Sequence, residues 1–83
     1  MRLRATDIST RRLGDETIVL NLPTSHYYTI SGVGSRLVEL LGEETSFEEL
    51  VGAIVTEYEV APTDARRDIA AFIERLRTAE LLT

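Results

Sequence analysis

The sequence predicts an α+β fold, a three-stranded antiparallel sheet followed by three helices. Three observations carry this. Apolar residues alternate with period two between positions 17 and 22. From position 33 onward they recur at three- and four-residue spacing instead. Gly42, the Ser46/Glu49 pair and Pro62 then divide that second region into three helices.

Residues 17–22, Thr-Ile-Val-Leu-Asn-Leu, put Ile18, Leu20 and Leu22 on one face and Val19 and Asn21 on the other. In β-branched company this alternation reads as a strand. Gly14-Asp15 ahead of it is a turn signal, and residues 8–13 alternate weakly and pair across that turn. Pro23-Thr24-Ser25-His26 is a tight connection, because Pro presets φ for a turn. Tyr27-Tyr28-Thr29-Ile30 are all good strand formers and make the last strand, an edge. The contribution of residues 2–5 is left open.

Ser31 is a suitable N-cap for a helix over 32–41, with Val33, Leu37, Leu40 and Leu41 at helical spacing. Ser46 and Glu49 have the spacing of a capping box, which satisfies two orphan backbone donors reciprocally. The helix it starts, over 46–58, carries the stripe Phe47, Leu50, Val51, Ile54, Val55 and Tyr58. Pro62 fits the first turn of a third helix over 62–79. Ala65, Ile69, Phe72, Ile73 and Leu76 line one face of it. Asp68, Arg75 and Ala79 border that stripe on one side, Arg66 and Arg77 on the other.

Composition narrows the function. The 83 residues, read as one domain spanning 1–83, contain no Cys, no Trp and a single His. Thiolate metal sites, redox couples and disulfides are excluded, and His-centred triads lack material. His26 falls in a turn beside Tyr27, the position of a solvated side chain. Gly32-Val33-Gly34 is too short for a phosphate loop and lacks the Lys. The chain is therefore read as a non-enzyme with no cofactor and no metal.

The net charge is −5, and all nine basic residues are Arg. Residues 43–61 hold six Glu (Glu43, Glu44, Glu48, Glu49, Glu57 and Glu59) and no base. The plain reading of that block is a solvated helix face; the sharper one is a docking patch for a basic partner. Acidity argues against a nucleic-acid partner. No apolar run is long enough for a membrane helix, and the N-terminus lacks the apolar stretch of a signal peptide, so the expected location is the cytoplasm.

Binding is what remains, and three features offer it. Tyr27–Ile30 is an edge with no charge, Pro or bulge to blunt it, which suits strand addition by a peptide. The face Ile69, Phe72, Ile73 and Leu76, flanked by Asp68 and Arg75, suits one wall of a groove. The three helices form a helix–turn–helix.

The ordered set Leu20-Asn21, the 23–26 turn, Tyr27-Tyr28, Ile30-Ser31 and Gly34 resembles the PqqD family. So does the second block of Leu37, Leu40, Leu41, Leu50, Ile54, Tyr58, Val60, Pro62, Asp68, Ile69, Phe72, Leu76 and Leu81-Leu82. The family often has Gly where Ser25 stands, and a Trp near Leu37-Val38. The resemblance is strongest to stand-alone leader-recognition proteins of lasso-peptide clusters. It implies a winged helix–turn–helix that binds the leader of a ribosomally made precursor peptide as an added strand beside 27–30. The partners it implies are that leader, a separate leader peptidase and the cyclase, with no nucleic acid and no membrane. The peptide-binding residues expected are Leu20, Leu22, Tyr27, Tyr28, Thr29, Ile30, Arg66, Asp68, Ile69, Phe72, Ile73, Arg75 and Leu76. Among these, Leu20, Leu22 and Ile30 are expected to floor an anchor pocket with Phe72 and Leu76, and Asp68, Arg66 and Arg75 to pair with leader charges at the rim.

Three other readings compete. A DNA-binding winged helix needs a cationic, amide-rich recognition helix, yet residues 62–83, the third helix and the tail after it, sum to zero charge and the chain has no Lys or Gln. An acyl carrier needs an Asp-Ser-Leu-like attachment site, and Gly34-Ser35-Arg36-Leu37 lacks the Asp. A general protein-interaction module differs only in what is bound.

Overall fold

Alternation in the first third builds a three-stranded meander. Strands β1 (Ile8–Leu13), β2 (Glu16–Asn21) and β3 (His26–Ser31) are antiparallel in the order β1-β2-β3. Helices α1 (Val33–Leu40), α2 (Phe47–Glu57) and α3 (Pro62–Thr78) follow, in a computed structural model that describes residues 1–83. Gly14, at φ 65°, occupies the first central position of the two-residue β1–β2 turn, where a positive φ matches the twist of the strands. In the β2–β3 connection Ser25 takes φ 59°, the left-handed conformation that glycine adopts without steric cost.

The register decides which side chains share a face. Val19 pairs with Tyr28 and Thr10, Thr17 with Ile30 and Arg12, and Asn21 with His26 and Ile8. Thr17, Val19 and Asn21 are buried. Ile18 and Leu20 are half-buried on the opposite face, and Leu22 lies beyond the strand, 53% exposed. The core face of β2 is thus the more polar one. It is tolerated because most of the polar groups have partners: Thr17 and Ser35 hydroxyls hydrogen-bond each other, and Asn21 Nδ2 donates to the Ala79 carbonyl, while Asn21 Oδ1 is buried without one. This corrects the expectation that Leu20 and Leu22 floor a pocket.

The helices supply most of the core. Leu37, Leu41, Leu50, Ile54, Ile69 and Leu81 are almost completely buried against Val19. The capping box at Ser46 forms as its spacing predicts, Glu49 N–H donating to Ser46 Oγ and Ser46 N–H to Glu49 Oε1, both at 3.1 Å. At α1 the cap is not Ser31 but Gly32, which makes no side-chain cap bond and bends the chain at φ 60°, ψ −131° between strand and helix. Residues 2–5 fasten the two ends together. Leu3 forms a bridge with Leu82 and donates to the Leu41 carbonyl, and Arg4 N–H donates to Leu81.

Ion pairs tie the exterior. Arg36 grips Glu57 through two nitrogens at 2.8 and 3.0 Å and also reaches Glu39, which binds Arg12 at 2.6 Å. One chain of charges therefore links β1, α1 and α2. Glu44 pairs with the N-terminal ammonium, and Glu48 with Arg66. Of the six-Glu block, Glu44, Glu48 and Glu57 are ion-paired and Glu49 caps α2, so only Glu43 and Glu59 have no intramolecular charge partner or cap. That favours the plain reading of the block over a concentrated acidic patch.

Candidate functional site

The edge β3 and the helix α3 form the two walls of a groove of about 520 Å³. From β3 come Tyr28 and Ile30, half-buried on the core face, with Thr29 and Ser31 along the strand edge. From α3 come Asp68, Ile69, Phe72, Arg75 and Leu76, one face at three- and four-residue spacing. Leu37 of α1 and Leu81 lie at the base, and Val33, Gly34 and Ala79 complete the lining.

The local sequence explains the shape. β3 pairs only with β2, and from Tyr27 to Ser31 none of its backbone groups bonds to a turn, loop or cap. Alternate residues of such a strand aim N–H and C=O groups outward. The opposite edge, β1, carries Arg11 and Arg12, charges of the kind that discourage pairing; β3 carries none. Gly34 lets α1 approach closely. A Cβ there would lie 2.7 Å from Ile30 Cγ2 and 3.1 Å from Phe72 Cε1, so a larger residue would push groove walls outward. The Arg75 guanidinium lies over the Phe72 ring, 5.7 Å from its centroid, and covers part of that apolar wall.

Tyr28, Thr29, Ile30, Asp68, Ile69, Phe72, Arg75 and Leu76 are thus brought together at one site. The other expected residues lie elsewhere, each for a physical reason. Leu20 and Tyr27 are cross-strand partners on the outer sheet face, where Tyr27 is 70% exposed. Leu22 has left the strand. Ile73 belongs to the core, buried beside the groove face of α3 without lining the groove. Arg66 turns to α2 and binds Glu48. Glu48 thereby titrates below the ordinary carboxylate range, because the carboxylate accepts hydrogen bonds from Arg66.

Sequence reasoning did not assign Ser31, Val33, Gly34, Leu37, Ala79 and Leu81 to the site. Ser31, Gly34, Leu37 and Leu81 stand in the pattern that carries the resemblance, and Ala79 borders the α3 stripe beside Asp68 and Arg75, so only Val33 carried no signal beyond its place in the first helix. The apolar lining and open strand edge suit an extended apolar peptide better than a small polar substrate. No group of three or more His, Asp or Glu is arranged to hold a metal ion. No helix is long and apolar enough to cross a membrane.

Comparison with known proteins agrees with this geometry. The family model described as coenzyme PQQ synthesis protein D (PqqD) matches residues 16–82. The structure of TbiB1 in complex with the TbiA(beta) leader peptide superposes with a TM-score of 0.92 at 35% identity, covering 99% of this chain and 94% of that one. A lasso peptide synthetase B1 complexed with the leader peptide superposes with a TM-score of 0.84 at 29% identity, covering 96% and 93%. No curated protein sequence matches.

Proposed function

The chain belongs to the PqqD family, and from that membership we propose that it binds the leader segment of a ribosomally made precursor peptide by β-strand addition. The leader lies antiparallel to β3, with its apolar side chains against Ile30, Phe72 and Leu76. The chain holds it for a separate leader peptidase and for the cyclase of lasso-peptide maturation, in the cytoplasm, and performs no catalysis itself. The observation that carries this reading is the apolar groove directly beside an unpaired, uncharged strand edge. The two similar structures, each of a protein holding a leader peptide, add to it.

The energetics are sufficient. Four to six backbone hydrogen bonds at roughly 1 kcal/mol net each give about 4–6 kcal/mol, without reading sequence. Two or three apolar anchors at about 1.5–3 kcal/mol each supply specificity. Ordering a flexible leader takes back about 2–5 kcal/mol. The remainder, about 2–13 kcal/mol, brackets the roughly 8 kcal/mol of a micromolar dissociation constant.

The test is titration of a fluorescently labelled leader, taken from the precursor encoded beside this chain's own gene. Saturable binding, with faster leader removal by the neighbouring peptidase when the chain is present, is expected. A leader that the folded chain does not bind refutes the reading.

A further inference from the structure

We infer that Asp68 and Arg75 read the order of charges along the bound segment: a cation toward its N-terminus, and an acid two or four residues later. The inference rests on the strand-addition reading above. Among the residues lining the groove these two alone are charged, and they carry opposite signs. Arg75 gathers with Tyr28, Glu74, Thr78 and Ala79 at one end, where Glu74 is paired with Arg77 and leaves Arg75 as the unpaired charge. In the middle, Gly34 approaches both Ile30 and Phe72. Passing back along α3 from Ala79 to Phe72 therefore follows β3 forward from Tyr28 to Ile30, so helix and strand run antiparallel. Asp68 lies one turn further back, toward Ser31 and Val33.

A segment added antiparallel to β3 must then run in the direction of α3. Its N-terminal part passes Asp68 and its C-terminal part passes Arg75. Seven helical residues span about 10 Å, which a strand covers in about three residues. Only alternate strand residues face the same way, so the matching spacing is two or four, with side-chain length taking up the difference.

Both groups are available. Arg75 makes no ion pair and rests over Phe72. Asp68 meets only its neighbour Arg67, at 3.4 Å, with both side chains about 70% exposed. The other α3 arginines are engaged, Arg66 with Glu48, Arg67 with Asp64 and Arg77 with Glu74. A segment with the reverse charge order would set like charges together at both ends of the groove, a repulsive element that discriminates between peptides of equal apolar content.

Selection from a display library of random dodecapeptides on the immobilised full chain tests this. The expected winners share an apolar pattern and carry Lys or Arg two or four positions before Asp or Glu. Two synthetic peptides made from a winner, differing only in exchange of its two charged residues, should differ about tenfold in Kd, the scale of two partly exposed ion pairs. The double variant Asp68→Arg with Arg75→Asp should prefer the exchanged peptide. Winners with the apolar pattern but no charge order, or a double variant that melts like the parent and keeps the parental preference, overturn the inference and leave strand addition standing. If the double variant does not fold, the peptide pair on the parent chain decides, and equal affinities overturn it. A library that yields no winner overturns the strand-addition reading, and this inference with it.

Discussion

Asn21 donates its side-chain amide to the carbonyl of Ala79 at 3.1 Å, joining the middle strand to the C-terminal cap of α3. Both ends of this bond are connected to the groove. Asn21 is cross-strand partner to His26 at the start of β3, and Ala79 lines the groove itself. The bond ties the sheet to the C-terminal end of α3 beside the groove, and Asn21 is 1% exposed. Replacing it with Ala leaves the Ala79 carbonyl unpartnered, at a cost of about 1–3 kcal/mol. Asn21→Asp is expected to be worse, because it loses the donor and buries a charge facing a carbonyl oxygen. Thermal melting of the two variants checks the order, and Asp at least as stable as Ala would contradict it.

Gly34→Ala tests the close approach of α1. The added methyl must displace Ile30 Cγ2 and Phe72 Cε1, both of them groove walls. Overpacking costs about 1–3 kcal/mol, while alanine's helix propensity returns up to about 1 kcal/mol. The expected result is a net loss of about 1 kcal/mol, a fall in Tm of about 4–8 °C, and leader affinity at least fivefold weaker. Unchanged binding would mean that these walls do not touch the leader.

Ser25→Gly is expected to stabilise. Ser25 holds φ 59° with a Cβ that disfavours it. Relief of roughly 1–2 kcal/mol exceeds the entropy of about 0.4–1 kcal/mol that glycine adds to the unfolded chain. Tm should rise by a few degrees with leader affinity unaltered, and a fall in Tm would show that Ser25 is not strained.

Arg75→Ala and Leu22→Ser form a contrasting pair. Both side chains are exposed, and neither should shift the melting temperature by more than a few degrees. Arg75 lines the groove and Leu22 does not. Leader affinity should fall several-fold for Arg75→Ala and stay within about twofold for Leu22→Ser. Equal effects on binding would move the site off α3.

The Arg36–Glu57 pair predicts how stability responds to acid. Hydrogen bonding from Arg36 holds Glu57 below the 4.5 of a free glutamate. A carboxylate whose pKa is lower folded than unfolded stabilises fully above its unfolded value and loses that contribution as pH falls through its folded one. Melting temperature should therefore decline below about pH 4.5, and Glu57→Gln should flatten that part of the profile. Parallel profiles for the two proteins would show that the pair contributes nothing.

Local chemistry was legible from residues alone. The Ser46 capping box, the Gly14 turn, Pro62 at the start of α3 and the unblunted β3 edge each depend on neighbours within a few positions, and the structure contains all four. The α3 half of the groove was legible too, because helical periodicity ties Asp68, Ile69, Phe72, Arg75 and Leu76 to adjacent positions on one surface. Ile73 and Arg66 show where periodicity stops. Each is near that surface by angle, but one is claimed by the core and the other by Glu48.

The sequence by itself determined the order and kind of the elements and the fact that β2 has two unlike faces; their ends shifted by a residue or so, with His26 in β3 and Gly32 in place of Ser31 as the α1 cap. It did not determine which face turns inward. Apolar content favoured Ile18, Leu20 and Leu22, yet Thr17, Val19 and Asn21 are the buried ones. Tertiary structure decided this, because a buried polar side chain is tolerated when a partner waits for it. The partners are Ser35 on α1 and the Ala79 carbonyl at the end of α3, 18 and 58 residues away along the chain.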